Sequence, residues 1–358
     1  MSVASSPSTA RSATIFAPED LRLVERDLGP LDADKVRIRF GAGGICGSDM
    51  HYFRHARTGD FVVREPLVLG HEVAGTVEAV GEGVSDLAVG TRVAVNPSRF
   101  CGVCPRCREG RSNLCENVYF MGSASKWPHM QGGFATLFDA VPAQCVAVPG
   151  ELPIEAAALA EPLAVCLHAV ARAGDVSGRS ALVVGAGPIG LLILLCLRLK
   201  GGGPLTAADV ADAPLEAALR LGADEVVNLK GEGASERLGA PDVVFEVSGT
   251  AAGLGTAILA ARRGGTVVQV GNLPGGAIEA PMNAVMAREI DLRGTFRFTD
   301  AEFREAVDHI VAGRIDVLAE LAELVAAGQL EVPVARVYPL EQVQEAYRDL
   351  EGGHTFGK

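Results

Sequence analysis

Ala181-Leu-Val-Val-Gly-Ala-Gly-Pro-Ile-Gly190 joins four apolar residues to a G-x-G-x-x-G turn, and an apolar run, Ile189 to Leu199, follows at once. Strand, glycine turn and helix in that order form the opening unit of a doubly wound parallel sheet that binds a dinucleotide. Gly185, Gly187 and Gly190, with Pro188 and Ile189 between them, let the backbone approach a pyrophosphate. It would sit at the N-terminus of the next helix, where unpaired N–H groups and the dipole favour negative charge. The following apolar run, Leu205 to Asp209, ends in an acid that can accept bonds from ribose hydroxyls and repels a 2′-phosphate. No arginine stands near Pro214 to hold such a phosphate, so NAD is expected in preference to NADP. Further apolar runs at Val226-Val227, Val243 to Val247, Thr266 to Val270 and Ile290 to Gly294 alternate with helical patterns. Such runs imply parallel strands covered on both faces.

Upstream the pattern differs. From Ala13 to about Pro149 short alternating segments, such as Lys35 to Phe40, Glu72 to Val80 and Thr91 to Val95, are split by glycines. This predicts a β-rich, barrel-like unit in which Gly70, Gly75, Gly81, Gly83 and Gly90 mark turns or tight bends. A helix is expected over Pro162 to Ala173, leading away from that unit.

The β-rich part carries two candidate metal sites. Cys101, Cys104, Cys107 and Cys115 follow one another at spacings of three, three and eight, which lets four thiolates converge on one tetrahedral zinc. Gly102, Pro105 and Gly110 suit a loop folded round an ion. The alternative, a pair of disulfides, conflicts with the reduced state of cytosolic thiols. The second set is Cys46, His71 and Glu72, with Glu161 as an outlying candidate. One thiolate, one imidazole and one or two carboxylates fit a catalytic zinc that keeps a position open. Which of Glu72 and Glu161 is the third ligand stays open at this level.

Composition narrows the rest. At 358 residues the chain is long enough for two domains, and a 48% hydrophobic content supplies their cores. A net charge of −12 argues against nucleic acid or a membrane surface as partner, since both call for a basic patch. Small molecules and other copies of the chain remain. The run Ile189 to Leu199 is too short to span a membrane, and Ser2 to Ser12 lacks the apolar stretch of a signal peptide, so a cytoplasmic protein is expected. Near the end, Phe303 to Val317 and Leu321 to Val332 read as two versions of one helix-strand unit. The sequence then stops at Phe356-Gly-Lys358 without a closing strand.

With both zinc signatures and the dinucleotide turn present, the chain resembles the zinc-dependent medium-chain dehydrogenases over nearly its whole length. Gly44-Ile-Cys-Gly-Ser-Asp-Met-His-Tyr52, Gly70-His-Glu72 and Glu161-Pro-Leu-Ala-Val-Cys-Leu-His-Ala169 resemble the sorbitol dehydrogenase branch. Within it Arg64 to Glu72, Asn96-Pro-Ser-Arg99 and Gly294-Thr-Phe-Arg-Phe298 are most similar to the bacterial L-idonate 5-dehydrogenases. The final 40 residues resemble instead the tail of a zinc-free quinone reductase.

The resemblance implies a GroES-like catalytic domain in two parts, residues 1–158 and 300–358, with a Rossmann cofactor domain, residues 159–299, inserted between them and the active site in the cleft. It implies two zinc ions per chain and NAD, with NADP a further possibility, and a dimer or tetramer. Cys46, His71 and Glu72 would hold the catalytic zinc, Glu161 would be a ligand or bind the zinc's water, and the four clustered cysteines would hold the structural one. Tyr52 and Arg297 match polyol-contacting positions; Val270, Gly271 and Asn272 would lie against the nicotinamide, and Phe296 would also contact the cofactor.

The reaction expected is oxidation of a secondary alcohol, with the proton leaving through Ser48 and His51 or through Glu161 and a water, and with Asp49 orienting His71. A sugar acid carries a carboxylate that calls for a guanidinium, and Arg54, Arg57 and Arg99 are spare arginines near Tyr52 and the cysteine cluster, with Arg54 foremost. Oxidation of L-idonate at C5 to 5-keto-D-gluconate is the leading expectation. A polyol dehydrogenase acting on sorbitol or xylitol is the first rival, and a non-catalytic NAD-binding protein the second.

Overall fold

The computed structural model describes residues 9–315 and 337–352. The second copy of the C-terminal helix-strand unit and the last six residues lie outside them. Of the first copy, the helix Asp300–Val311 is present.

The N-terminal half is built on a five-stranded antiparallel sheet in the order Leu137–Ala140, Val36–Gly44, Glu72–Val80, Arg92–Val95, Cys145–Ala147. A three-stranded sheet of Asp20–Asp27, Thr9–Ala17 and Leu67–Val68 packs beside it. Alternate residues of the strands, Val36 and Ile38, Val73 and Val77, Val93 and Val95, meet in one apolar core with Ile15, Leu67 and Phe138. Gly70 and Gly90 have the positive φ expected of them, at 94° and 89°. Gly75, Gly81 and Gly83 do not; they are demanded by close backbone approach instead. A Cβ at Gly75 would overlap the carbonyl oxygen of Arg39 across the sheet, and one at Gly81 the carbonyl of Asp32.

Residues 181–294 form a six-stranded parallel sheet in the order Glu225–Asn228, Leu205–Asp209, Ala181–Val184, Val243–Glu246, Thr266–Gln269, Asp291–Gly294. The strands are short and continuous in apolar character because both faces are covered. Ala181 and Val183 point into one core and Leu182 and Val184 into the other, as Val243 and Phe245 are divided from Val244. The helix Pro188–Leu199 closes the first face; full burial of Ile193, Leu194 and Leu197 contributes about 1.5–3 kcal/mol each. Order reverses between the first and fourth strands in sequence, which opens a crevice at their C-terminal ends.

The helix Ala160–Ala173 joins the two halves, two residues longer at its start than the sequence pattern indicates. It packs against Asp300–Val311 through Phe303, Ala306 and Val307. The helix Val343–Gly352 returns to the N-terminal half, where Val343 and Tyr347 enter the core with Tyr52 and Phe53. Among the described residues no helix is long and apolar enough to cross a membrane.

Candidate active site

Strand register assembles the first site. Gly44 pairs with Glu72 across two antiparallel strands, so Cys46, just past the end of one, comes beside His71, just before the start of the other. Ligand atoms of Cys46, His71 and Glu72 lie within 4.8 Å of one another. Glu161, buried in the first turn of its helix, is not among them. The carboxylate that sequence left open is therefore Glu72 in this grouping. A thiolate, an imidazole and a carboxylate at such spacing are the donors of an open zinc site, so the residues fit the ion.

The loops bearing these ligands are fastened by one buried carboxylate. Asp49 Oδ2 accepts the N–H of Cys46 at 2.9 Å, its Oδ1 accepts that of Gly70 at 3.3 Å, and the same Oδ1 stands 3.6 Å from His71 Nδ1. Cys46 caps the helix Gly47–His55. Burial disfavours charge on the His71 imidazole, but Asp49 and Cys46 together outweigh it and raise its pKa well above the ordinary value. Surroundings of that sign equally suit a divalent cation. Gly44 is required here because a Cβ would overlap Oε2 of Glu72. Gly44→Ala is expected to displace that carboxylate and weaken metal affinity at this site roughly tenfold or more without unfolding the sheet, as read by zinc titration against a chromophoric chelator.

A second group flanks the first. The guanidinium of Arg297 stacks over Phe120 at 4.1 Å and over Phe296 at 4.7 Å, and Phe120 lies 5.4 Å from the His71 ring. Burial lowers the Arg297 pKa to about 10 against the opposing influence of Glu161 and Tyr52. Its Nη1 is buried without a hydrogen-bond partner among the described residues. The backbone of Arg297 has φ 55°, a conformation costing a non-glycine residue about 1–2 kcal/mol, so its surroundings impose it. Tyr52 is buried, and its hydroxyl accepts the N–H of Ala124 at 3.0 Å, leaving its own hydrogen to donate.

Not every expected residue joins this group. Arg54 turns away on the helix whose Tyr52 and Phe53 face inward; its side chain is 41% exposed and stands 3.5 Å from Glu351. In this arrangement the neighbour of the Arg54 guanidinium is the Glu351 carboxylate. Arg57 bonds the carbonyl of Gly59, and Arg99 lies over the ring of Tyr119. His51 is exposed, one turn before His55, while Ser48 is half-buried.

The cysteine cluster also converges. Ligand atoms of Cys101, Cys104, Cys107 and Cys115 lie within 4.8 Å of one another, and all eight cysteines of the chain are free thiols. Amide groups point at the sulfurs: Cys104 N–H at Cys101 Sγ, 3.3 Å, and Asn117 N–H at Cys115 Sγ, 3.3 Å. The N–H of Val103, with that of Cys104, lowers the Cys101 pKa to about 6, whereas burial raises Cys107 to about 12. A metal binding all four would displace the remaining protons.

The dinucleotide turn takes its expected place. Gly187 caps the helix begun by Pro188, and space is open where a Cβ would be; at Gly190 a Cβ would overlap the carbonyl of Gly185. Asp209 Oδ2 accepts Ala186 N–H at 2.8 Å and Oδ1 accepts Val210 N–H at 2.7 Å, which fixes the acid beside the turn. Across the crevice, Glu246 closes its strand as a buried carboxylate that accepts bonds from Gly249 N–H and Gln269 Nε2, and Gln269 reaches Gly271 O at 2.8 Å. This holds the segment Val270-Gly271-Asn272. Sequence reasoning passed over Glu246, although an acid ending an apolar strand is a visible signal. It also passed over Phe120 and the fully buried Tyr347, whose ring lies 5.3 Å from Phe53; nothing local distinguishes either.

Comparison with known proteins agrees with this arrangement. The family described as alcohol dehydrogenase GroES-like domain matches residues 32–150, and that described as zinc-binding dehydrogenase matches residues 221–358. The L-idonate 5-dehydrogenase (NAD(P)(+)) of Escherichia coli strain K12 is 38% identical over 314 residues, 87% of each chain. The sorbitol dehydrogenase of Bacillus subtilis is 33% identical over 95% of this chain and 93% of its own. The crystal structure of L-idonate 5-dehydrogenase from Escherichia coli K-12 superimposes with a TM-score of 0.88 at 35% identity, covering 98% of this chain and 96% of the other.

Proposed function

The chain belongs to the zinc-dependent medium-chain dehydrogenases, in the branch of the sorbitol and L-idonate enzymes, and from that premise we propose that it oxidises L-idonate at C5 to 5-keto-D-gluconate with NAD as acceptor. The buried guanidinium of Arg297 beside the Cys46, His71 and Glu72 group carries this reading. A cation disfavoured by burial, with one nitrogen left for a partner, gains more from a carboxylate than from a neutral hydroxyl.

A zinc ion held by Cys46, His71 and Glu72 would supply the Lewis acidity that makes a bound alcohol easier to deprotonate, and a second would brace the cysteine lobe. Asp49 keeps the His71 imidazole and the Cys46 loop in place. Tyr52 donates to a substrate hydroxyl, Arg297 takes the carboxylate, and Phe120 keeps water from the space between Arg297 and His71. The proton leaves by way of Ser48 toward the exposed His51, or past Glu161. Glycines 185, 187 and 190 with Pro188 and Ile189 receive the pyrophosphate, Asp209 the ribose, and Val270 to Asn272 the nicotinamide, with Phe296 a further cofactor contact.

In this reading residues 1–158 and 300–358 form the catalytic domain around an inserted cofactor domain, 159–299, which the packing of Tyr347 on Phe53 supports. Assembly through the outer strand Asp291–Gly294 gives a dimer or tetramer. Turnover of L-idonate, D-gluconate and sorbitol with NAD and with NADP, on zinc-replete protein, tests the substrate. L-Idonate with NAD is expected to give the highest kcat/KM. Sorbitol ahead of L-idonate would make the protein a polyol dehydrogenase, and no turnover of any would leave a cofactor-binding protein.

A further inference from the structure

Asn113 lies inside the cysteine lobe, two residues before Cys115, and is 4% exposed. Its Nδ2 donates to the carbonyl of Phe296 at 2.9 Å and stands 3.3 Å from His168 Nε2. Only a donor can face a carbonyl, so the amide nitrogen is on that side and His168 Nε2 is the acceptor. The imidazole proton then belongs on Nδ1, where Glu302 Oε1 receives it at 2.9 Å. Glu302 Oε2 in turn accepts Thr299 N–H at 2.7 Å. Every bond in this buried chain has one direction, and it ends on the peptide that precedes Arg297. Ser112 adds a bond from Asp300 N–H, and Arg172 holds Gly294 O at 3.0 Å.

We propose that Asn113, His168 and Glu302 form a positioning relay that holds the Phe296 carbonyl, and with it the Arg297 guanidinium, in the substrate cleft, so that substrate affinity depends on the cysteine lobe. The relay deepens the proposed function, since it rests on Arg297 being a substrate contact. It explains how a lobe with no side chain of its own in the catalytic group influences the reaction. It also explains what imposes the left-handed backbone at Arg297.

Two substitutions test it by different routes. Asn113→Asp keeps shape and turns an oxygen toward the Phe296 carbonyl, which repels it. Glu302→Gln acts from the far end. Thr299 N–H needs an acceptor, so the new amide nitrogen faces His168 Nδ1 and moves the imidazole proton to Nε2. Asn113 must then present its oxygen to His168 and release Phe296. Each variant is expected to raise KM for the secondary alcohol roughly tenfold, the worth of one buried hydrogen bond, with kcat within about twofold and zinc content unchanged. Combining either with Arg297→Ala should add nothing to the loss from Arg297→Ala alone. Unchanged KM, additive losses, or an equal fall in kcat accompanied by zinc loss would overturn the relay; should Asn113→Asp not fold, Glu302→Gln carries the test. Amide hydrogen exchange over residues 294–298 reads the relay without turnover. It should quicken in both variants even if the wild-type chain oxidises no alcohol, an outcome that would sink the proposed function alone, and unchanged exchange would sink the relay.

Discussion

Cys46→Ala is expected to lower kcat/KM for the secondary alcohol by at least about a thousandfold while leaving NAD binding and the melting temperature close to those of the parent. Steady-state kinetics with fluorescence titration of the cofactor checks this. The thiolate is one of three donors gathered at this site, and it lies at the N-terminus of a helix rather than in the apolar core. Losing it costs activation of the alcohol, a contribution of several kcal/mol, and each 1.36 kcal/mol is a factor of ten. The dinucleotide turn and Asp209 are held by bonds of their own, Ala186 N–H to Asp209 among them, and so bind cofactor as before. A loss of cofactor affinity equal to the loss of turnover would instead mean that Cys46 supports the fold.

Cys104→Ser acts on stability. Cys104 is buried, its N–H is bonded to Cys101 Sγ, and the lobe around it has few apolar side chains to hold it together. Structural zinc contributes roughly 10–16 kcal/mol of apparent binding energy to small zinc-dependent folds, as much as the whole stability of an ordinary domain. Even partial coupling should lower the unfolding transition by about 10 °C or more. Residues 98–118 should become the first site of proteolytic cleavage, and one zinc should be lost. Since Asn113 stands in this lobe, KM should rise as well. Unaltered melting and protease resistance would show that the lobe folds without its metal.

Much of this was readable from the sequence where the signal is local. Strands Glu72–Val80, Ala181–Val184 and Leu205–Asp209 fall where alternation or continuous apolar character places them, because the side-chain period is set by the face each strand buries. The cysteine cluster and the glycine turn are equally local. Cys46 and His71 could be grouped from their donor chemistry alone, but no spacing rule places them together, since their meeting depends on strand register. The helix that carries Tyr52 and Arg54 shows the limit from the other side. Being near Tyr52 in sequence says nothing of facing the same way on a helix, where one residue turns the side chain by 100°. Asn113, His168 and Phe296 come together across separations of 55 and 183 residues, and no spacing rule reaches so far.

Metal content tests the central claim most directly. Elemental analysis of the purified chain and of Cys46→Ala should find two zinc ions in the first and one in the second, with the remaining ion released only on chelation that also melts the cysteine lobe. One zinc in the parent chain, or the same number in both proteins, would contradict a metal centre built by Cys46, His71 and Glu72.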